Sequence, residues 1–221
     1  MPENLENEIK RTYEFHKRPA PGILIGCYMV DLALEKLAEL GAPAGKLNAV
    51  VETDVCLADA VQVMTGCTAG NKYLKIKHEY GRYACALYDR TTKKGVRVFV
   101  ELENIDKNKH PNLYAFFTRT RDEKVLSDME YRAAVNDKVK AEFLLLKRKA
   151  LDCEGITVNL PTKEKVNPAA VCPSCGESFV APGASGTCLY CGHGGYYTRD
   201  DRTLDSGLTT NSKMDSATSA E

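Results

Sequence analysis

Glu52-Thr53-Asp54-Val55-Cys56-Leu57-Ala58-Asp59-Ala60-Val61-Gln62-Val63-Met64-Thr65-Gly66-Cys67-Thr68 leaves one kind of local structure and enters another. Lys46 to Thr53 reads as a strand, and Val55 to Thr65 has helical spacing closed by Gly66. A strand feeding a helix predicts a mixed core. With the strand ending near Asp54, Cys56 falls in the first helical turn, where unpaired amides and the positive dipole end favour a thiolate. Asp59, three residues on, shares that face and is placed to orient a ligand or accept a proton. Cys67 follows the closing glycine, about 16 Å from Cys56 at roughly 1.5 Å per residue. A disulfide needs Cα atoms within about 7 Å. The two thiols therefore share a site only across a subunit interface or with a shorter helix.

Upstream, Met29, Leu32, Ala33, Leu37 and Leu40 follow helical spacing, with Gly41 as C-cap. An earlier helix over Glu3 to Glu14 ends ahead of Pro19 and Pro21. His16 sits between them and offers a nitrogen ligand or an acid/base group. Downstream, Tyr73 to Tyr80 and Tyr83 to Tyr88 predict two strands of a meander turning at Gly81, and Val96, Val98 and Val100 a third. Arg119 to Lys149 reads as helical with Leu144 to Leu146 most buried, and Ile156 to Leu160 as a short strand. His78 and His110 lie in expected turns, while Cys27, Cys85 and Cys153 read as packing residues. Taken singly, Cys56 also fits a packed thiol and His16 a surface hydrogen-bonding residue.

Near the C-terminus stand Cys172-Pro173-Ser174-Cys175-Gly176 and Cys188-Leu189-Tyr190-Cys191-Gly192. Four thiolates in two such pairs suit tetrahedral zinc, and a closed four-sulfur site is structural because no position is left for substrate. His193 is a further nitrogen, but the sulfurs already fill the site. Pro161 to Ala170 reads as a linker. The expected organisation is a core over 1–165, a zinc finger over 171–197 and a disordered polar tail over 199–221.

The chain has 221 residues, with 30 basic side chains balancing 30 acidic ones. No lysine or arginine occurs between Val171 and Tyr197, which argues against the finger as a nucleic-acid contact. Nine cysteines imply a reducing, cytoplasmic setting, and no apolar run approaches the ~20 residues of a membrane span.

Phe15-His16, Pro21-Gly22, Asp54 to Ala60, Thr65 to Gly70, Gly81-Arg82-Tyr83-Ala84 and the distal cysteine pairs resemble the FmdE family of formylmethanofuran dehydrogenase proteins. The resemblance implies an α+β fold, with a mixed helix and antiparallel-sheet core and a small C-terminal treble-clef or zinc-ribbon module. It also implies homodimers and a core cleft with histidine and cysteine set for metal or redox chemistry. Family members carry His-Gly-His-x-Cys-Pro-Gly where this chain has His16-Lys17-Arg18-Pro19-Ala20-Pro21-Gly22. Arg18 opposes a nearby divalent cation and is suited instead to clamp a carboxylate or phosphate. His16, Cys56 and Cys67 still supply three ligands for a second, transition-metal site in the core.

The expected function is the handling of a small ligand in one-carbon or related redox metabolism. Cys56 is the nucleophile or thiolate ligand, His16 the base or ligand, and Cys67 a second thiolate. Asp54 and Asp59 are orienting groups. The alternative is a non-catalytic accessory protein whose zinc finger docks on a molybdenum or tungsten oxidoreductase.

Overall fold

The computed structural model describes residues 3–41, 46–161, 167–180 and 186–197. The expected tail over 199–221 lies outside them, as does part of the expected linker. The chain divides into two compact units, Met1–Thr162 and Lys163–Glu221.

The larger unit is built on a five-stranded sheet of β1 (Leu47–Val51), β2 (Leu74–Ile76), β3 (Ala84–Asp89), β4 (Lys94–Val100) and β5 (Leu151–Thr157). Their spatial order is β2-β1-β3-β4-β5, antiparallel except for the parallel β1–β2 pair. Helices α1 (Glu3–His16), α2 (Pro21–Glu39) and α3 (Leu57–Thr65) pack on one another, and α2 also lies against β3 and β4. The mixed α+β class is as the sequence implies.

Several local expectations change, among them the last strand of the sheet, which runs Leu151–Thr157 where the sequence reading expects Ile156 to Leu160. Leu74 and Ile76 do form a strand, but it pairs with β1 in parallel and not with β3 across Gly81. The chain instead makes a 3₁₀ turn at His78–Tyr80, and α3 supplies the crossover that lets β2 run parallel to β1. Helix α2 begins at Pro21, well ahead of Met29, because proline at the first helical position loses no hydrogen bond. In α6 (Met129–Leu146) the buried stripe is Val135, Val139 and Phe143 at four-residue spacing, whereas Leu145 is 75 % exposed. Ahead of α6 come α4 (Pro111–Thr118) and the short α5 (Lys124–Ser127).

Glu52 anchors the chain where β1 turns toward Cys56. Its carboxylate accepts from Arg97 at 2.7 and 3.0 Å and pairs with Arg82 Nε at 2.6 Å. Burial alone would raise this carboxyl, but the hydrogen bonds and charge of Arg97, with Arg82, hold it below its ordinary value.

The smaller unit holds a hairpin of β6 (Ala169–Val171) and β7 (Ser178–Val180), followed by the helix α7 (Leu189–His193). Cys172 and Cys175 lie in the hairpin connection, Cys188 caps α7 and Cys191 lies in its first turn. A hairpin-borne pair followed by a helix-borne pair is compatible with the small zinc module the sequence implies.

Candidate functional site

Helix α1 stops at His16 because Lys17 takes a left-handed backbone (φ 62°). The packing of α1 on α3 then carries the imidazole to the start of the third helix. There Nδ1 of His16 lies 2.6 Å from Oδ2 of Asp59, and Nε2 faces Sγ of Cys56 at 3.7 Å. A carboxylate only accepts, so Nδ1–H donates to Asp59 and the lone pair of Nε2 is directed at the thiol. Gln62 Nε2 donates to the other Asp59 oxygen at 3.4 Å. Sulfur, imidazole and carboxylate thus form one hydrogen-bonded chain, the arrangement in which a base activates a nucleophile and a third group orients the base.

Cys56 is the N-cap residue of α3, just ahead of the first turn in which the sequence reading expects it. Its ionisation differs from the expectation. Burial pushes the thiol above its ordinary value; a backbone hydrogen bond opposes this, and the charge of Asp59 adds to it. Desolvation is the largest of these influences and opposes the thiolate that the helix start favours.

Close packing positions that thiol. A Cβ on Gly22 would lie 2.9 Å from Cβ and 3.1 Å from Sγ of Cys56, so the start of α2 abuts the cysteine only because residue 22 has no side chain. Tyr83 donates its hydroxyl to the carbonyl of Gly22 at 2.7 Å and holds the contact closed. Beyond the thiol opens a cavity of about 580 Å³ between the β1–α3 junction and the segment joining α4 to α5. Tyr83 and Phe117 meet edge to face at 5.4 Å, as do Phe117 and Phe116 at 5.1 Å, giving the cavity an aromatic wall.

The other predicted site residues lie elsewhere. Asp54 and Arg18 are exposed, and neither side chain makes a hydrogen bond or ion pair with another described residue. Cys67 lies past the far end of α3, buried, its Sγ donating to the Leu47 carbonyl at 3.5 Å. Among the described residues, His16, Cys56 and Cys67 do not converge as a set of metal ligands. Helix α3 is two residues shorter than expected at its start but still separates the two cysteines, so the constraint anticipated from their spacing applies. The sequence reading missed the wall and the arginines on the segment Phe116 to Arg121. The one signal there is two adjacent phenylalanines followed by Arg119 and Arg121, and the arginines fall in the stretch from Arg119 read as a charged helix.

In the smaller unit, the Sγ atoms of Cys172, Cys175, Cys188 and Cys191 all lie within 4.8 Å of one another. Tetrahedral zinc with Zn–S near 2.3 Å sets its sulfurs about 3.8 Å apart. Cys175 and Cys188 stand 3.8 Å apart, so the donor set fits such an ion. The Cys188 amide donates to Cys172 Sγ at 3.3 Å and, with the amides of Cys175 and Ser174, brings that thiol down to about 6. Cys191 is pushed up to about 12, foremost by its hydrogen bond with Cys188 and also by the other cysteines. Four clustered sulfurs do not all ionise without a cation between them.

Residues 15–147, more than half the chain, match the family described as FmdE, molybdenum formylmethanofuran dehydrogenase operon. A tungsten formylmethanofuran dehydrogenase FmdE-like protein from Syntrophus aciditrophicus has a solved structure that superposes with a TM-score of 0.66 at 31 % identity. The match covers 88 % of this chain and 95 % of that one. A probable S-adenosyl-L-methionine-binding protein from Archaeoglobus fulgidus is 31 % identical over 194 residues, or 85 % of this chain. The chain spans about half of that relative's length, 52 %. With the matched segment enclosing His16, Gly22, Cys56, Asp59 and Tyr83, the chain belongs to the FmdE family.

Proposed function

We propose that this chain binds a small electrophilic ligand in the core cavity and adds Cys56 to it, in one-carbon or related redox metabolism. The observation that carries the reading is the chain Asp59–His16–Cys56, with contacts of 2.6 and 3.7 Å, opening on the cavity. With a carbonyl ligand, the Sγ–H proton passes to Nε2 of His16 while sulfur forms a bond to the carbonyl carbon. The C=O π pair moves to oxygen, which recovers the proton from His16. The product is a hemithioacetal, formed without net oxidation. The S-adenosyl-L-methionine in the name of the archaeal relative is another one-carbon electrophile, and is a natural second probe.

The same reading makes the four-cysteine module a structural zinc site and the protein a cytoplasmic homodimer. Five thiols in the larger unit are free, as a reducing compartment allows.

The test is the rate of alkylation by iodoacetamide, followed at each cysteine by mass spectrometry. At neutral pH Cys56 is expected to react at least tenfold faster than Cys67 or Cys153, and Cys56→Ser to remove the fast phase while leaving the fold intact. A Cys56 no faster than the other thiols sinks the proposal.

A second reading, a non-catalytic accessory role, is favoured by the surface of the smaller unit. Val171, Val180 and Leu189 are 68, 65 and 76 % exposed there, apolar side chains of the kind a partner covers. If the module docks on a molybdenum or tungsten oxidoreductase, affinity-purified protein carries molybdenum or tungsten by elemental analysis. That metal is lost when residues 171–221 are removed. Equal metal in both preparations counts against docking through the module.

A further inference from the structure

The cavity beside Cys56 carries charge as well as aromatic rings. Arg121, on the segment between α4 and α5, lines it and is half-buried. Its guanidinium lies over the Phe116 ring, 4.9 Å from the centroid, and Nη1 reaches Asn136 Oδ1 only at 3.5 Å. Among the described residues no carboxylate lies within salt-bridge distance of it.

The two carboxylates in the same lining do not answer that charge. Asp122 is exposed, and its Oδ1 is engaged by the amide of Lys124 at 2.7 Å. Glu123 is exposed too. The cation sits toward the inside, and the anions sit at the rim. Burial lowers the Arg121 guanidinium from its ordinary value, with the nearby charge of Arg132 acting the same way, as expected for a cation that lacks a counter-ion.

We propose that the ligand of the Cys56 cavity is an organic carboxylate with an apolar, planar body. Its carboxylate would pair with Arg121, its body would lie on the Phe116–Phe117 wall, and its electrophilic carbon would face Sγ of Cys56. The guanidinium fork matches a carboxylate bidentately, and its stacking on Phe116 fixes the plane in which it presents its donors. A cavity of about 580 Å³ is of the size that small-molecule sites occupy. This inference rests on the reading of Cys56 as a base-assisted nucleophile.

Iodoacetate and iodoacetamide deliver the same carbon to sulfur and differ in charge, so the ratio of their rates at Cys56 reports the charge of the cavity. The expected result is that iodoacetate is the faster reagent in the full chain, with a rate that saturates in reagent concentration. Arg121→Gln is expected to lower the iodoacetate-to-iodoacetamide ratio by about tenfold or more, and Arg121→Lys to restore part of it. Phenylglyoxylate, which combines a carboxylate, a carbonyl and a phenyl ring, is expected to protect Cys56 in the unsubstituted protein. That measurement stands even where a variant fails to fold. A Cys56 that reacts fast with iodoacetamide but shows neither preference for iodoacetate nor protection by phenylglyoxylate overturns the carboxylate assignment and leaves the nucleophile in place. A Cys56 slow toward both reagents overturns the nucleophile itself.

Discussion

At pH 7.5 the His16→Gln chain is expected to alkylate at Cys56 about a hundredfold more slowly than the parent, the lower range of what a positioned base contributes. Two observations set the size of the effect. Burial holds Cys56 above its ordinary value, so little thiolate exists at neutral pH without help. The imidazole at 3.7 Å is the one basic nitrogen hydrogen-bonded to it among the described residues. Without His16 the rate should follow the thiolate fraction, rising tenfold per pH unit from about pH 6 to pH 9. With His16 present, the profile is flatter across that range. Asp59→Asn should cost less, about tenfold, because it leaves the base in place but no longer fixes which ring nitrogen carries the proton. Equal rates for His16→Gln and the parent across pH would remove the base from the mechanism and leave Cys56 as a packed thiol beside a histidine.

The second large effect concerns the smaller unit. One equivalent of zinc is expected in the smaller unit. Cys172→Ser should abolish it, as read by elemental analysis, and should unfold the unit, as read by amide exchange over residues 167–197. The larger unit should keep its thermal transition. Cys172 is the one buried residue described in this unit, while Val171, Val180 and Leu189 stand exposed. With so little apolar surface buried, a metal held by the four sulfurs would be the main source of folding free energy. Structural zinc sites supply roughly 10–16 kcal/mol in apparent terms. A folded module with no metal in the variant would show that the hairpin and α7 hold one another without the ion.

How far the sequence discloses the molecule depends on the range of the interaction involved. Helix α3 and its closing glycine were legible because both are local: the spacing marks the helix, and Gly66 takes the left-handed backbone (φ 70°) that ends it. The pairing of β2 was not legible. Alternation at Leu74 and Ile76 encodes a strand without naming its partner, and adjacency in sequence suggested β3 where the tertiary fold chose β1. Leu144 to Leu146 misled for a related reason, since an apolar run looks buried until the facing helix decides which stripe it covers. In the site, Cys56 and Asp59 lie on one helix turn and could be paired by counting. His16 lies 43 residues from Asp59 and joins it through the packing of α1 on α3. Arg121 carries no periodic signal at all. Only the folded chain places it in the cavity that Cys56 also lines.

The position of His16 as the last residue of α1, and of Cys56 as the first cap of α3, bears on how long the reactive state can live. In the proposed reaction, the proton that crosses from sulfur to imidazole moves between opposite poles of two helices. The carbonyl pole of α1 welcomes the imidazolium and the amide pole of α3 the sulfur anion, each by roughly 0.3–1 kcal/mol. The main chain thus leans toward charge separation while burial of the sulfur leans against it. A balance of that kind would, in the proposed reaction, leave the sulfur protonated until proton transfer to His16 and bond formation occur together.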